Sequence, residues 1–85
     1  MEKSVVIKNP TGLHARPAAL LVQKASSFRC NVSLVKQGKK ANAKSIMNVM
    51  ALGVGQNDEV LVVTEGEQEA EALQAIVELL EGLKD

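Results

Sequence analysis

The one histidine of the chain lies in the segment TGLHARPA, residues 11–18, whose residue types suit the chemistry of phosphate. Gly12 permits a tight turn with positive φ just before His14. Pro17 has no backbone N–H, so it suits the first turn of a helix, where that donor would have no acceptor within the helix. The segment therefore predicts that His14 lies at or near the N-cap of a helix that begins at Ala15.

A helix N-terminus carries positive electrostatic potential and outward-pointing amide groups, and both features bind anions. Ala15 and Arg16 supply the first amides of this helix, and the Arg16 guanidinium adds a fork of donors that fits phosphoryl oxygens. Thr11 supplies a hydroxyl just before the turn. A nucleophilic imidazole beside such an anion site indicates that His14 accepts a phosphoryl group.

Other chemistries find less support in the sequence. His14 has no neighbouring cysteine or carboxylate cluster, so no metal site is predicted, and no cofactor-binding glycine-rich loop is present. No Ser-His-Asp set is visible, although the five serines leave one formally possible. A purely structural role for His14 is a further alternative, in which a ligand-binding α+β module uses it only to cap a helix. We expect a carrier rather than an enzyme that turns over by itself.

Composition excludes several classes of partner. Ten basic and ten acidic residues cancel, so no net charge attracts nucleic acid or an anionic membrane. Phe28 is the one aromatic residue, which argues against stacking on RNA bases. Cys30 is the one cysteine and is expected to be a small buried hydrophobe in a reducing compartment. The N-terminal residues lack the apolar run of a signal peptide or membrane span, so a cytoplasmic location without membrane insertion is expected.

Hydrophobic spacing predicts one domain over residues 1–85 with the element order β-α-β-β-α-β-α. The predicted strands and helices are 4–8, 15–27, 30–35, 40–43, 46–52, 60–63 and 67–83. The lysine-flanked third strand is typical of a sheet edge, and the continuous β-branched fourth strand is typical of a central position. This order most simply gives an α+β fold of two layers, a four-stranded antiparallel sheet with three helices on one face.

Two segments together carry a family resemblance. GLHARPA at residues 12–18 and KSIMNVMALGV at residues 44–54 resemble the HPr phosphocarriers of the bacterial phosphoenolpyruvate:sugar phosphotransferase system, and the similarity spans the whole chain. The resemblance implies an open-faced β-sandwich. It also implies that His14 takes a phosphoryl group on Nδ1 from phosphorylated Enzyme I and passes it to EIIA domains of sugar transporters. By position, Arg16 accompanies the phosphohistidine and Pro17 follows it.

Ser45 has two interpretations. From its own chemistry it is a good helix N-cap, a contribution of about 1 kcal/mol. The segment KSIM resembles the regulatory serine segment of HPr from low-GC Gram-positive bacteria. That resemblance implies phosphorylation by an HPr kinase/phosphorylase and binding to a CcpA-type regulator. In enteric HPr the serine is not known to be regulated in this way, so both interpretations stay open.

A docking surface is predicted around these two residues. Adaptable apolar side chains suit a surface that must fit several proteins. The predicted contributors from the two helices are Leu20, Ile46, Met47 and Met50, whereas Val49 and Leu52 are assigned to the core. Asn48 is expected to matter little on the surface of its helix. A protein that meets several partners in turn is most simply a monomer.

Two assignments close to the leading one are weighed. The regulatory paralogue Crh has glutamine in place of the active histidine, so His14 argues against that assignment. The remaining alternative is an HPr-like regulatory protein of a nitrogen-type or orphan phosphotransfer chain, in which the histidine chemistry would be the same and the partner would differ.

Overall fold

The computed structural model describes residues 1–84, and its elements follow the predicted order. They are β1 Glu2–Val6, α1 Ala15–Ser26, β2 Asn31–Lys36, β3 Lys39–Asn42, α2 Ile46–Ala51, β4 Glu59–Glu65 and α3 Glu69–Glu81.

The four strands form one sheet in the order β1-β4-β2-β3, and neighbouring strands are antiparallel. β4 lies between β1 and β2, which confirms its predicted central position, and β3 lies at the edge as predicted. Gln37 and Gly38 join β2 to β3 with φ of 48° and 81°. Two consecutive positive φ angles are typical of a two-residue hairpin turn, because the twist of such a turn matches the twist of the two strands that it joins.

The two faces of the sheet differ in burial, because alternate residues of a strand point to opposite faces. One face packs beneath the helices, and it carries the buried strand residues Val5, Val32, Leu34, Ala41, Val60, Val62 and Thr64. The opposite face is only half-buried, with Val35, Leu61 and Val63 partly accessible and Val6 exposed. The predicted two-layer α+β architecture is therefore confirmed.

Helix α1 is held by packing on its buried side. Ala18, Leu21 and Ala25 are completely buried, as their spacing predicts, and Val22 is half-buried. The helix contacts both α2 and α3. Since helix stability in proteins comes mostly from packing of an apolar side, these contacts fix α1 and with it the position of its first residues.

Most element boundaries differ from the prediction by one or two residues, and two of these differences have a clear physical cause. β1 starts at Glu2 because Met1 already pairs with β4: the Thr64 N–H donates to the Met1 carbonyl at 2.7 Å, and the Met1 ammonium donates to the Thr64 carbonyl at 2.6 Å. α3 starts at Glu69 rather than at residue 67, because Gly66 and Gln68 have φ of 119° and 62° and belong to a turn.

Three further observations bear on function. Cys30 is buried, as predicted, with 1% of its surface exposed. Within residues 1–84, no helix has the length and apolar character needed to cross a membrane. In the same range, no three His, Cys, Asp or Glu side chains are grouped so that they could hold a metal ion.

Candidate functional site

His14 is the N-cap residue of α1, as the sequence predicts. Its backbone is extended, with φ −81° and ψ −165°, and its carbonyl accepts the first helical hydrogen bond from the Ala18 N–H at 2.8 Å. The side chain makes no capping hydrogen bond and the residue is exposed. The imidazole therefore does not perform the capping role that the structural alternative assigns to it.

The turn before His14 lies directly against another part of the chain. Gly12 has φ +62°, and a Cβ at this position would lie 2.3 Å from the Val54 carbonyl oxygen and 2.7 Å from the Gly55 Cα. The Leu13 N–H donates to the same Val54 carbonyl at 3.1 Å. Glycine is thus required at residue 12 both by its backbone conformation and by the space available.

Asn9 holds the same turn from the other side. Its side-chain Nδ2 donates to the Gly12 carbonyl at 2.8 Å, and its backbone carbonyl accepts from the Gly12 N–H at 3.1 Å. Asn9 is 2% exposed, so these bonds are shielded from water. The predicted first strand ends before Asn9, and this role of Asn9 was not predicted from the sequence.

The other residues predicted to contact the phosphoryl group lie close along the chain. Ala15 and Arg16 occupy the first two positions of α1 and are exposed, and Pro17 occupies the third position and is buried. Thr11 is exposed in the turn before Gly12. The N-terminus of α1 therefore carries two exposed residues with nitrogen-bearing side chains, His14 and Arg16, beside the first amides of the helix, a setting that suits an anion.

Ser45 is the N-cap of α2 and, unlike His14, its side chain caps the helix. The Ser45 Oγ accepts from the Asn48 N–H at 3.4 Å and from the Asn48 Nδ2 at 3.1 Å. The predicted capping role of Ser45 is confirmed. The side-chain amide of Asn48 thus contacts the Ser45 hydroxyl, a contact that was not predicted from the sequence.

The predicted docking residues are exposed apolar side chains. Met47 is 74% exposed, and Leu20, Ile46 and Met50 are between 39% and 44% exposed. Val49 and Leu52 are buried, as predicted. Since α1 and α2 pack against each other, these side chains belong to neighbouring helices. Their role in docking stays a prediction.

Charge is segregated along the chain although it sums to zero. Residues 3–57 contain nine of the ten basic residues and no acidic one, whereas residues 58–85 contain nine of the ten acidic residues. The sequences of α1 and α2 accordingly lack any carboxylate, while α3 carries Glu69, Glu71, Glu78 and Glu81. Neither of the helices capped by His14 and Ser45 therefore carries a negative charge, and α1 carries the positive charges of Arg16 and Lys24.

Comparison with known proteins places these features in a family. The model of the family described as "PTS HPr component phosphorylation site" matches residues 1–82. The HPr-like protein Crh of Halalkalibacterium halodurans is 47% identical over 81 residues, which span 95% of this chain and 96% of the relative.

Two solved structures from Thermoanaerobacter tengcongensis are similar as well. A crystal structure of HPr-C-His has a TM-score of 0.93 and 53% identity, with 95% of this chain and 91% of that chain covered. A crystal structure of an HPr dimer has a TM-score of 0.77 and 55% identity, with coverage of 91% and 88%. The open-faced α+β fold predicted from the sequence is confirmed by these likenesses, and the chain belongs to the HPr family of phosphocarrier proteins.

Proposed function

We propose that His14 is the phosphoryl acceptor of this HPr-family phosphocarrier. The protein takes the group from phosphorylated Enzyme I and passes it to EIIA domains of sugar transporters. The observation that carries the proposal is the exposed His14 side chain, which occupies an N-cap position without capping the helix. An exposed ring that makes no capping hydrogen bond, at a site of positive potential, is available for chemistry.

In the transfer step, the lone pair of the His14 Nδ1 attacks phosphorus in line with the bond to the donor. A P–N bond forms, and the bond to the donor breaks with its electron pair returning to the donor. The helix N-terminus and the Arg16 guanidinium stabilise the charge on the phosphoryl oxygens. Because both groups are exposed to solvent, this stabilisation is moderate, which keeps the phosphoryl group transferable to the next protein.

The docking surface for both partners is formed by His14, Arg16 and the exposed apolar residues Leu20, Ile46, Met47 and Met50. The absence of carboxylates from α1 and α2 supports a partner with an acidic surface, because opposite potentials steer association and like charges oppose it.

Ser45 is proposed as a regulatory phosphorylation site, with an HPr kinase/phosphorylase and a CcpA-type regulator as the corresponding partners. The residue is half-buried and lies beside Ile46 and Met47, so a phosphate of about −1.5 to −2 charges would stand at the edge of the docking surface. We expect Ser45→Asp to lower the rate of transfer from Enzyme I several-fold, measured as initial rates beside Ser33→Asp. Equal rates for Ser45→Asp and the wild type would contradict this regulatory role.

A second candidate function is regulation within a nitrogen-type or orphan phosphotransfer chain. The 47% identity to Crh, an HPr-like protein, supports an HPr-like role outside sugar uptake. His14 distinguishes this chain from Crh, so the histidine chemistry would be that of the first candidate and only the partner would differ. We propose the cytoplasm as the location and a monomer as the working form. An HPr from Thermoanaerobacter tengcongensis has been crystallised as a dimer, so the mass in solution across a range of concentrations tests the monomer.

The test of the proposed function is intact mass after incubation with a bacterial Enzyme I and phosphoenolpyruvate. We expect the wild type to gain one acid-labile phosphoryl group and His14→Ala to gain none. Subsequent addition of a sugar-specific or a nitrogen-type EIIA domain identifies the acceptor. No gain by the wild type, with Enzyme I shown to be active on another HPr, would contradict the proposal.

A further inference from the structure

Residues 53–58, between α2 and β4, support the whole segment that leads to His14. The Asn57 N–H donates to the Ile7 carbonyl at 2.6 Å, and the Ile7 N–H donates to the Asp58 carbonyl at 2.9 Å. The Gln56 Nε2 donates to the Lys8 carbonyl at 3.1 Å. These bonds hold residues 7 and 8, between the end of β1 and the turn before the histidine.

The contacts of residues 53–58 with this segment end at Gly12 and Leu13, where the two backbones approach most closely. The Val54 carbonyl accepts from the Leu13 N–H and lies where a Cβ of Gly12 would be, at 2.3 Å. The hydrogen bond from Leu13 and this close approach of two backbone segments tie residues 12 and 13 to residues 54 and 55. His14 comes next in the chain, so its backbone is one residue away from the bond to Val54.

Two charged side chains fix residues 53–58 in turn. The Lys36 ammonium, at the end of β2, donates to the Gly53 carbonyl at 2.6 Å and pairs with the Asp58 Oδ2 at 2.9 Å. The same Oδ2 accepts from the Gly55 N–H at 2.7 Å. The Lys36 side chain is 17% exposed, so it is largely shielded for a surface lysine. We call this pair with its two backbone contacts the Lys36–Asp58 clamp.

We propose that the Lys36–Asp58 clamp positions His14 for phosphoryl transfer by holding residues 53–55 against Gly12 and Leu13. The inference rests on the proposed function of His14. Lys36 and Asp58 act through the backbone and are positioning residues. Their loss changes the geometry of the acceptor while leaving its chemistry and the docking side chains in place.

The expected size follows from the sensitivity of group transfer to geometry. A displacement of about 1 Å at a reacting group can cost about 100-fold in rate. The clamp acts on His14 only through residues 53–55 and the turn, and Asn9 also holds that turn. We therefore expect about ten-fold slower transfer when the clamp is broken.

The experiment uses Lys36→Met, which keeps most of the side-chain stem, and Asp58→Asn, which keeps a similar shape. Lys39→Met is the matched control, since Lys39 pairs with Lys36 in the β2–β3 register, is exposed and is outside the clamp. Each full-length variant is assayed as a substrate of Enzyme I for kcat and KM. The amide resonances of residues 12–15 are recorded in the free protein.

The expected result is a kcat about ten-fold lower in both clamp variants, with unchanged KM and shifted resonances at residues 12–15, and a wild-type result for Lys39→Met. A raised KM with unchanged kcat would assign Lys36 and Asp58 to docking and overturn the inference. Unshifted resonances at residues 12–15 would overturn it as well. If the wild type accepts no phosphoryl group, the proposed function fails, and the resonances alone still decide whether the clamp holds the turn.

Discussion

The N-cap residues of α1 and α2 have similar backbone conformations, but only the N-cap side chain of α2 bonds to its helix. His14 and Ser45 are both N-cap residues with extended backbones, and the two helices pack against each other. The Ser45 hydroxyl accepts two hydrogen bonds from Asn48, whereas the His14 ring accepts no capping bond.

Helix length and packing explain the difference. α2 has six residues, of which only Val49 is buried, so its first turn depends on a side-chain cap. α1 has 12 residues and four of them are buried, so it is stable without one. A helix held by its packed side does not need a side-chain cap, so its N-cap residue is available for chemistry.

The sharpest way to test this contrast is to give α1 the cap that it lacks. His14→Ser should abolish phosphoryl acceptance, because the nucleophile is lost. It should also raise the free energy of unfolding by about 0.5–1 kcal/mol, because a serine at this position can accept from the amides of the first turn. Intact mass measures the first effect and urea denaturation the second. A His14→Ser variant less stable than the wild type would show that the ring supports the fold after all.

A second prediction disturbs the turn that places His14. Gly12→Ala should lower the free energy of unfolding by at least about 1–3 kcal/mol, the range for a strained left-handed residue, with the clash against Val54 added to it. Gly38→Ala is the control, since Gly38 also has positive φ but has open space where a Cβ would be. An equal decrease in the free energy of unfolding of the two variants would contradict the close contact between residues 12 and 54.

The third prediction removes the cap of α2. Ser45→Ala should lower the free energy of unfolding by about 1 kcal/mol, because the amide of residue 48 loses its acceptor. Asn48→Ala keeps the cap and removes only the side-chain contact, so its loss should be smaller. Thermal denaturation of both variants shows which of them loses more stability. A greater loss of stability in Asn48→Ala than in Ser45→Ala would contradict the capping role of Ser45.

The smallest expected effect concerns pH. The Gly55 N–H, and after it the Lys36 ammonium, hold the pKa of Asp58 below its ordinary value of 3.8. A carboxyl group with a lowered pKa in the folded state stabilises the protein above its ordinary pKa, and this contribution is lost as the pH falls through the lowered value. The Tm of Asp58→Asn should therefore lie below that of the wild type at neutral pH and approach it in acid.

The exposed neighbour Glu59 provides the control for this comparison. Glu59→Gln removes a charge of the same sign beside Asp58 without touching the clamp. A Tm difference between Asp58→Asn and the wild type that stays constant from neutral pH to below 3.8 would contradict the ionic role of Asp58.

Local features of this molecule were predictable from the sequence. Gly12 and Pro17 lie within six residues around His14, so their backbone preferences are visible in the local sequence. The order of strands and helices follows from hydrophobic spacing in the same way. The contact between Ser45 and Asn48 is also local, and an asparagine three residues after a serine N-cap was an available signal.

The features that were missed depend on contacts distant in sequence or on rare backbone conformations. Lys36 and Asp58 are 22 residues apart, and Gly12 and Val54 are 42 apart, so only the folded sheet brings either pair together. The late start of α3 depends on positive φ at Gln68, a residue type that gives no such signal.

The exposed imidazole of His14 is the group that we propose to carry the phosphoryl group. The most direct measurement is a long-range ¹H–¹⁵N spectrum of the His14 ring, recorded before and after phosphorylation by Enzyme I and phosphoenolpyruvate. We expect the Nδ1 resonance to change on phosphorylation, while Nε2 keeps its proton and the Ser45 amide is unaffected. Phosphorylation at Nε2, or at any residue other than His14, would contradict the account.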